Sequence, residues 1–196
     1  MSEFLAEGFI KFGEERFRTP SLQFLDYLIN RAVDQGCSID GVVFSLKAIL
    51  KVEKLRFEFL AMNGINKCIL TAFEQKSGNV EAMYSTIFVL WMVTFNTQNH
   101  HFFTSPEYDL IPHIIREIRR SDHEKLLRIA LITIKNLIDA SPQCTEIAVQ
   151  CDLLNMIDNI STRVIKDQVV AELVPQLASV LSNSVKLLSS FEKWVQ

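Results

Sequence analysis

One segment, residues 79–96, constrains the fold more than any other part of this 196-residue chain. It contains seven consecutive apolar residues, Ile87 to Val93, and apolar side chains recur along it at steps of three and four. A helix that is apolar on nearly all sides is a buried helix. A buried strand is the alternative, but the pattern extends from Asn79 to Phe95 without glycine or proline, which is too long. The segment therefore predicts a helix around which the chain packs.

The composition limits the kinds of partner that this chain can have. With 48% hydrophobic and 22% charged residues, it is that of an ordinary globular protein. The net charge of −3 provides no general basic field, so we expect no nucleic-acid partner. A bilayer-spanning helix needs about 20 apolar residues, and the longest apolar run here is shorter. The amino terminus carries acids early and lacks a signal-peptide pattern, so we expect no direct membrane insertion.

The four cysteines predict free thiols rather than disulfides or a metal site. They are Cys37, Cys68, Cys144 and Cys151, and none forms a C-x-x-C pair. Free cysteine behaves as a small hydrophobic residue, so we expect buried thiols and a reducing compartment.

The first 50 residues predict three helices. The first covers Glu3–Phe17 and ends before Pro20, because a residue that precedes proline avoids helical angles. Ser21 is predicted to cap a second helix that reaches about Asp34. Its predicted buried face consists of Leu22, Leu25, Leu28, Ile29 and Ala32. Gly36 is predicted to end this helix, and Asp40 to cap a third.

From about residue 55 the chain repeats itself. The turn-forming residues Gly64, Asp109 and Asp152 each precede an apolar residue at a helix start, at steps of 45 and 43 residues. A long helix follows each of them, and a short amphipathic helix precedes each. The predicted long helices are Asn79–Asn96, His123–Ala140 and Lys166–Leu188, and the predicted short ones are Leu55–Met62, His101–Glu107 and Cys144–Val149.

A period in the forties is typical of a helical solenoid. One short and two longer helices per unit are the armadillo form, in which each unit buries its apolar face against the next. We therefore predict an all-α fold, a right-handed helical solenoid of armadillo/HEAT-type repeats. The predicted units are roughly 55–97, 98–141 and 142–188 within a single domain of residues 1–196. Helices before residue 54 are predicted to form an amino-terminal unit or cap.

No motif in the chain predicts catalysis. The segment from Gly36 to Gly41 has the glycine spacing of a phosphate loop, but Val42 and Val43 follow where lysine and serine or threonine are required. His100 and His101 are adjacent, so in a helix they point about 100° apart and share one metal ion poorly. We interpret them as part of a polar loop. We expect no catalytic residues, no cofactor and no metal, and an active site assembled from distant residues is our least favoured hypothesis.

The strongest positive surface predicts a protein partner. Arg116, Arg119 and Arg120 lie at i, i+3 and i+4 on one helix face, and Arg128 and Lys135 follow on the next helix. We call these five residues the basic set and predict that they bind a partner. Nearby acids such as Glu117 dilute the charge, so a solvated helix face is the other interpretation. The functional interpretation is the docking of an acidic partner helix.

Several passages share their order with one protein family. They are Ala48–Phe59, Asn63–Ile65, Met83–Asn96, Lys125–Ala130 with Lys135–Ile138, and Leu188–Trp194. Over residues 41–194 the chain resembles the amino-terminal domain of the H subunit of the vacuolar (V-type) proton-pumping ATPase. The family chain is about twice as long, so we expect either a fragment without the carboxy-terminal domain or a reduced homologue.

The resemblance implies a non-catalytic regulatory or scaffold subunit. Its implied partners are other proton-pump subunits, especially the peripheral-stalk coiled coil of subunits E and G. Its implied role is to activate ATP hydrolysis or couple it to proton transport. The implied location is cytoplasmic, peripheral on the cytosolic face of vacuolar and other endomembranes.

The alternative function is an armadillo-type adaptor or scaffold unrelated to the pump. Armadillo proteins that read extended peptides, such as the nuclear import adaptors, carry a tryptophan and then an asparagine four residues on. Here Asn136 follows Ile132, and Trp91 precedes Phe95. Because this ladder is broken, we disfavour peptide reading of that kind.

Overall fold

The computed structural model describes residues 22–34 and 36–195, with side chains through residue 186, and all regular structure in these ranges is helical. The helices are α1 (Leu22–Arg31), α2 (Ile39–Ile49), α3 (Glu53–Ala61), α4 (Thr71–Lys76), α5 (Val80–Thr94), α6 (His101–Thr104), α7 (Leu110–Arg120), α8 (Glu124–Ala140), α9 (Pro142–Gln150), α10 (Leu153–Ser161) and α11 (Gln168–Val195). A π-helical segment, Ile65–Leu70, leads into α4, and a 3-10 turn, Thr97–His100, leads into α6. The all-α prediction is confirmed. No helix in the described ranges combines the length and apolarity needed to cross a membrane.

Helix α5 is the predicted apolar helix. It begins after Asn79, whose side-chain oxygen accepts a hydrogen bond from the Ala82 N–H at 3.1 Å, as in a helix N-cap. Most of its side chains are buried, although Phe88 and Trp91 are half-buried and Glu81 is exposed. The hydroxyl of buried Thr86 donates to the Ala82 carbonyl at 2.8 Å. The sequence pattern predicts Phe95 inside this helix. It lies beyond the helix end and is 58% exposed.

The predicted helix starts share one backbone feature. Asn63, Asp109 and Asp152 all adopt left-handed backbone angles, with φ of 59°, 49° and 64°. Asparagine and aspartate are the residues other than glycine that tolerate this conformation best. Each of these residues turns the chain between a short helix and the helical segment that follows it. The sequence spacing between them is 46 and 43 residues.

The prediction that Gly64 forms the first of these turns is therefore wrong by one residue. Asn63 turns the chain, whereas Gly64 has an ordinary right-handed φ of −63°. Glycine is needed at position 64 because a larger residue has no room there. A methyl group there would lie 2.6 Å from the Phe59 carbonyl oxygen and closer still to two carbons of the Phe59 ring. Backbone packing, which sequence spacing does not reveal, explains this glycine.

The described residues divide into two compact units between Val93 and Thr94. In the first unit, α1 packs on α2 and α3, and α2 packs on α4. In the second unit, α7 packs on α8 as α10 packs on α11, and α8 also packs on α9 and α11. Two consecutive three-helix groups, α6–α8 and α9–α11, thus pack together within the second unit. The single domain, the unit boundaries and the solenoid type stay predictions.

Two local predictions near the amino terminus are wrong. Asp40 does not cap α2, because the helix begins at Ile39 and Asp40 lies in its first turn. Its carboxylate instead accepts from the Ser38 hydroxyl at 3.1 Å and pairs with Lys76 at 2.9 Å. Leu22 is exposed at the start of α1 rather than buried. The predicted helix Glu3–Phe17 and the predicted cap Ser21 lie outside the described residues.

Candidate partner-binding surface

Two members of the basic set lie on α8 and are engaged within the chain. The Arg128 guanidinium donates to the Asp167 carboxylate at 3.1 Å, and the Lys135 ammonium donates to the Asp139 carboxylate at 2.5 Å. Each cation already has a carboxylate of its own, so a partner would compete with it. As a partner contact, Arg128 is a weaker candidate than its charge alone suggests.

The partner of Arg128 also organises the start of α11. One Asp167 carboxylate oxygen accepts from the N–H groups of Val169 and Val170 at 3.0 and 3.2 Å, which caps the helix. The Glu124 carboxylate accepts from the N–H groups of Lys166 and Asp167 at 2.7 and 2.9 Å. This network connects the first turn of α8 to the loop before α11, so Arg128 has a structural role.

The other three members lie on α7. Arg116 donates to the His113 ring, and Arg120 lies 3.8 Å from the carboxylate of buried Glu117. Arg119 differs from both. Its Nε donates to the Met156 sulfur at 3.4 Å, and its nearest carboxylate, Asp152, is 4.0 Å away. A thioether is a weak acceptor, so Arg119 is held in place by partners weaker than a carboxylate in direct contact.

Arg119 lines a cleft between the carboxyl-terminal ends of α7 and α10. The cleft has a volume of about 330 Å³. Its lining residues are Ile118, Arg119, Met156, Asn159, Ile160, Thr162 and Arg163. Arg163 pairs with Asp122 at 2.7 Å, and the Asp122 side chain is 92% exposed. Two guanidinium groups, one amide and one hydroxyl thus surround an apolar floor.

The basic set omits Arg163, Asn159 and Met156, although they share this cleft with Arg119. Arg163 follows Arg119 by 44 residues, so inspection of one helix face cannot connect them. The 43-residue step from Asp109 to Asp152 is the available signal. It makes the end of α10 the counterpart of the end of α7, which places Arg163 near Arg119.

The adjacent histidines are held by backbone carbonyl groups. His100 is buried, and its Nε2 donates to the Thr94 carbonyl at 3.0 Å. The His101 Nδ1 lies 2.7 Å from the Gln98 carbonyl. The prediction of a polar loop is incomplete, since His100 belongs to the core. Within the described part of the chain, no three His, Cys, Asp or Glu side chains group as they would around a metal ion.

All four cysteines are free thiols, as predicted. Cys68 and Cys144 are buried, whereas Cys37 and Cys151 are half-buried. Burial raises the pKa of Cys68 to about 12, with the Lys67 cation opposing the shift. Burial also raises the pKa of Cys151, the Asp109 carboxylate adds to that effect, and the Arg119 cation opposes it. A raised pKa makes the Cys68 and Cys151 thiols poor nucleophiles, so these two residues do not suggest a catalytic site.

Comparison with known proteins identifies the family. The family model for the V-ATPase H subunit matches residues 3–181. A V-type proton ATPase H subunit from Drosophila melanogaster is 29% identical over 203 residues, covering 99% of this chain and 42% of the relative. A probable V-type proton ATPase H subunit from Oryza sativa subsp. japonica is 22% identical, covering 82% of this chain and 35% of the relative. A probable V-type proton ATPase H subunit from Caenorhabditis elegans, the one numbered 1, is 22% identical, covering 93% of this chain and 42% of the relative.

The chain thus spans about two fifths of the length of these relatives. The matched range includes α6 to α10, the first half of α11 and the cleft between α7 and α10. It also includes the apolar helix α5 and the passages on which the resemblance is based, except the one at Leu188–Trp194. The family match covers most of the sequence, and the chain therefore belongs to the family of V-ATPase H subunits.

Proposed function

We propose that this chain is a non-catalytic regulatory or scaffold subunit of a vacuolar proton-pumping ATPase. In this proposal it docks the peripheral stalk, a coiled coil of subunits E and G, and activates ATP hydrolysis or couples it to proton transport. It acts from the cytoplasm, at the cytosolic face of vacuolar and other endomembranes. The observation that carries the proposal is the family match over residues 3–181.

The proposal includes the architecture that would serve such a role. The helical groups form a right-handed solenoid of armadillo/HEAT-type repeats, and a partner coiled coil lies along their polar faces. The basic set contributes electrostatic attraction, chiefly through Arg116, Arg119 and Arg120 on α7. This assignment is supported by their exposure and by the distances from Arg119 and Arg120 to their nearest carboxylates.

A binding measurement with the E–G stalk tests the proposal. We expect the purified chain to bind a purified E–G heterodimer saturably at micromolar concentration. Reversing the charge of Arg116, Arg119 and Arg120 to glutamate should weaken binding at low salt by about tenfold or more, as expected for loss of electrostatic complementarity. A matched control reverses the charge of Lys51, Lys54 and Lys67, three lysines of the first unit.

Each outcome of this measurement bears on one part of the proposal. Failure to bind the stalk contradicts the docking role. Binding that the α7 variant leaves unchanged keeps the docking role and removes the basic set from it. Binding that both triple variants weaken equally shows a general charge effect, which would also remove the specific role of α7.

A further inference from the structure

The cleft between α7 and α10 places two guanidinium groups beside apolar residues that are each at most 6% exposed. Arg119 and Arg163 contribute the charge, whereas Ile118, Met156 and Ile160 form the apolar lining. We infer that this cleft binds an acidic side chain, glutamate or aspartate, from an amphipathic segment of a partner protein, through Arg119 and Arg163. This deepens the proposed function and rests on it, since it specifies how a partner segment would be held.

Arg119 has only weak acceptors within the chain. Its Nε donates to the Met156 thioether, and its Nη2 lies 4.0 Å from the Asp152 carboxylate, at the outer limit of an ion pair. A guanidinium forms its strongest hydrogen bonds with a carboxylate in bidentate geometry. A partner carboxylate would therefore improve the hydrogen bonding of Arg119 without requiring it to leave a strong one.

Arg163 has an acceptor that it can exchange at little cost. It pairs with Asp122 at 2.7 Å, but that carboxylate is almost fully exposed and lies on the loop between α7 and α8. An exposed ion pair contributes little stability, so its exchange for a partner carboxylate costs little. Arg163 can therefore redirect its donors into the cleft.

The charges around the cleft favour a carboxylate on a peptide over a phosphate on a lipid. Asp122 and Asp152 lie beside the two arginines, so the four charges balance. These two carboxylates weaken the attraction of the arginines for a dianionic phosphate or a dense anionic membrane. A single carboxylate carries less charge and can replace Asp122 as the acceptor of Arg163.

A peptide titration tests the inference. The probe is a fluorescein-labelled, helix-forming peptide of glutamate, leucine and alanine, followed by fluorescence anisotropy against the full chain. A matched peptide has glutamine in place of glutamate. We expect saturable binding of the acidic peptide at concentrations below about 1 mM, and binding of the glutamine peptide about tenfold weaker or more.

Variants locate the binding. Arg119→Gln and Arg163→Gln should each weaken the acidic peptide about tenfold, and Arg119→Lys should also weaken it because lysine cannot form the bidentate contact. Arg31→Gln and Lys54→Gln, both in the first unit, should change binding less than about twofold. Arginine side-chain NMR signals of Arg119 and Arg163 should shift on titration, and thermal melts establish that each variant is folded.

Three results would overturn the inference. The first is the absence of peptide binding at 1 mM, with that value taken as about the upper limit of specific recognition. The second is an equal loss of binding in Lys54→Gln and Arg163→Gln. The third is binding of phosphatidylserine vesicles that depends on Arg119 and Arg163 while the peptide does not bind, which would assign the cleft to membrane anions.

The two proposals fail separately. If the E–G stalk binds and Arg119→Gln with Arg163→Gln has no effect on it or on the peptide, the cleft inference is wrong and the docking role stands. If the peptide binds in the cleft and the stalk does not bind, the cleft inference stands and the assigned partner is wrong.

Discussion

Gly64 determines how closely the chain passes its own preceding helix. Because a methyl group there would overlap the ring and carbonyl of buried Phe59, we expect Gly64→Ala to lower the free energy of unfolding by about 1–3 kcal/mol. The gain in helix propensity from alanine, about 1 kcal/mol at most, is too small to compensate fully. Urea unfolding of the variant and the wild type measures the difference.

A second glycine provides the contrast. Gly36 has φ of +86°, and no heavy atom lies within 4 Å of the position that an alanine methyl would take there. Gly36→Ala should therefore lower the free energy of unfolding only by the cost of left-handed backbone angles for alanine, about 1–2 kcal/mol. Replacing Phe59 by leucine should rescue part of the loss in Gly64→Ala and none of the loss in Gly36→Ala. Rescue of both, or of neither, would contradict the packing explanation for Gly64.

Cys68 should make the stability depend on pH in alkaline solution. Burial raises the pKa of this thiol from 9.0 to about 12, so the folded chain keeps the proton that the unfolded chain loses above pH 9.0. Stability is thus intact below pH 9.0 and falls as the pH rises towards 12, by about 1.4 kcal/mol per pH unit. Urea unfolding of the wild type and of Cys68→Ala should show the steeper decline in the wild type. Parallel declines would show that Cys68 does not contribute.

At the scale of helices, the sequence pattern predicts where helices begin and end better than it predicts which helices contact one another. The apolar periodicity predicts α5 within two residues at each end, and α8 within one residue. Periodicity succeeds there because a helix that is buried on several sides has apolar residues at many positions. It misses the π-helical segment Ile65–Leu70, because the hydrogen-bond register changes there without a change in the apolar pattern.

The start of α11 depends on one carboxylate. Asp167 caps the helix through two backbone N–H groups and pairs with Arg128, so Asp167→Ala should lower the free energy of unfolding by about 2 kcal/mol. Arg128→Gln removes only the partly exposed ion pair and should cost less than about 1 kcal/mol. Asp167→Asn retains an oxygen for the cap, so its free energy of unfolding should lie between those of Asp167→Ala and Arg128→Gln. Urea unfolding of the three variants measures the order.

Asp139→Ala is the matched control for that series. It removes a carboxylate from α8 that pairs with Lys135 four residues earlier, on an exposed helix face. Such pairs contribute about 0.3–0.5 kcal/mol, so this variant should unfold close to the wild type. If Asp139→Ala and Asp167→Ala were equally destabilised, helix capping would not explain the role of Asp167.

At the scale of the whole chain, the candidate site is only partly predictable. The charge pattern locates Arg116, Arg119 and Arg120, because residues three and four apart share a helix face. It cannot show that Arg128 binds Asp167, 39 residues away, or that Arg163 reaches the cleft of Arg119. Such contacts depend on how helices pack, and the repeat spacing provides the only sequence signal for them.

Salt should separate the forces that fold the chain from those that bind its partner. In each ion pair of the basic set at least one side chain is 40% or more exposed, so raising NaCl from about 0.05 M to about 0.5 M should change the free energy of unfolding by less than about 1 kcal/mol. Binding of the E–G stalk through α7 should weaken about tenfold or more over the same range, because its electrostatic attraction is screened. Parallel urea unfolding and stalk titrations measure both. The charge-reversed α7 variant should lose most of the salt dependence of binding, and binding by the wild type that ignores salt would contradict an electrostatic role for the basic set.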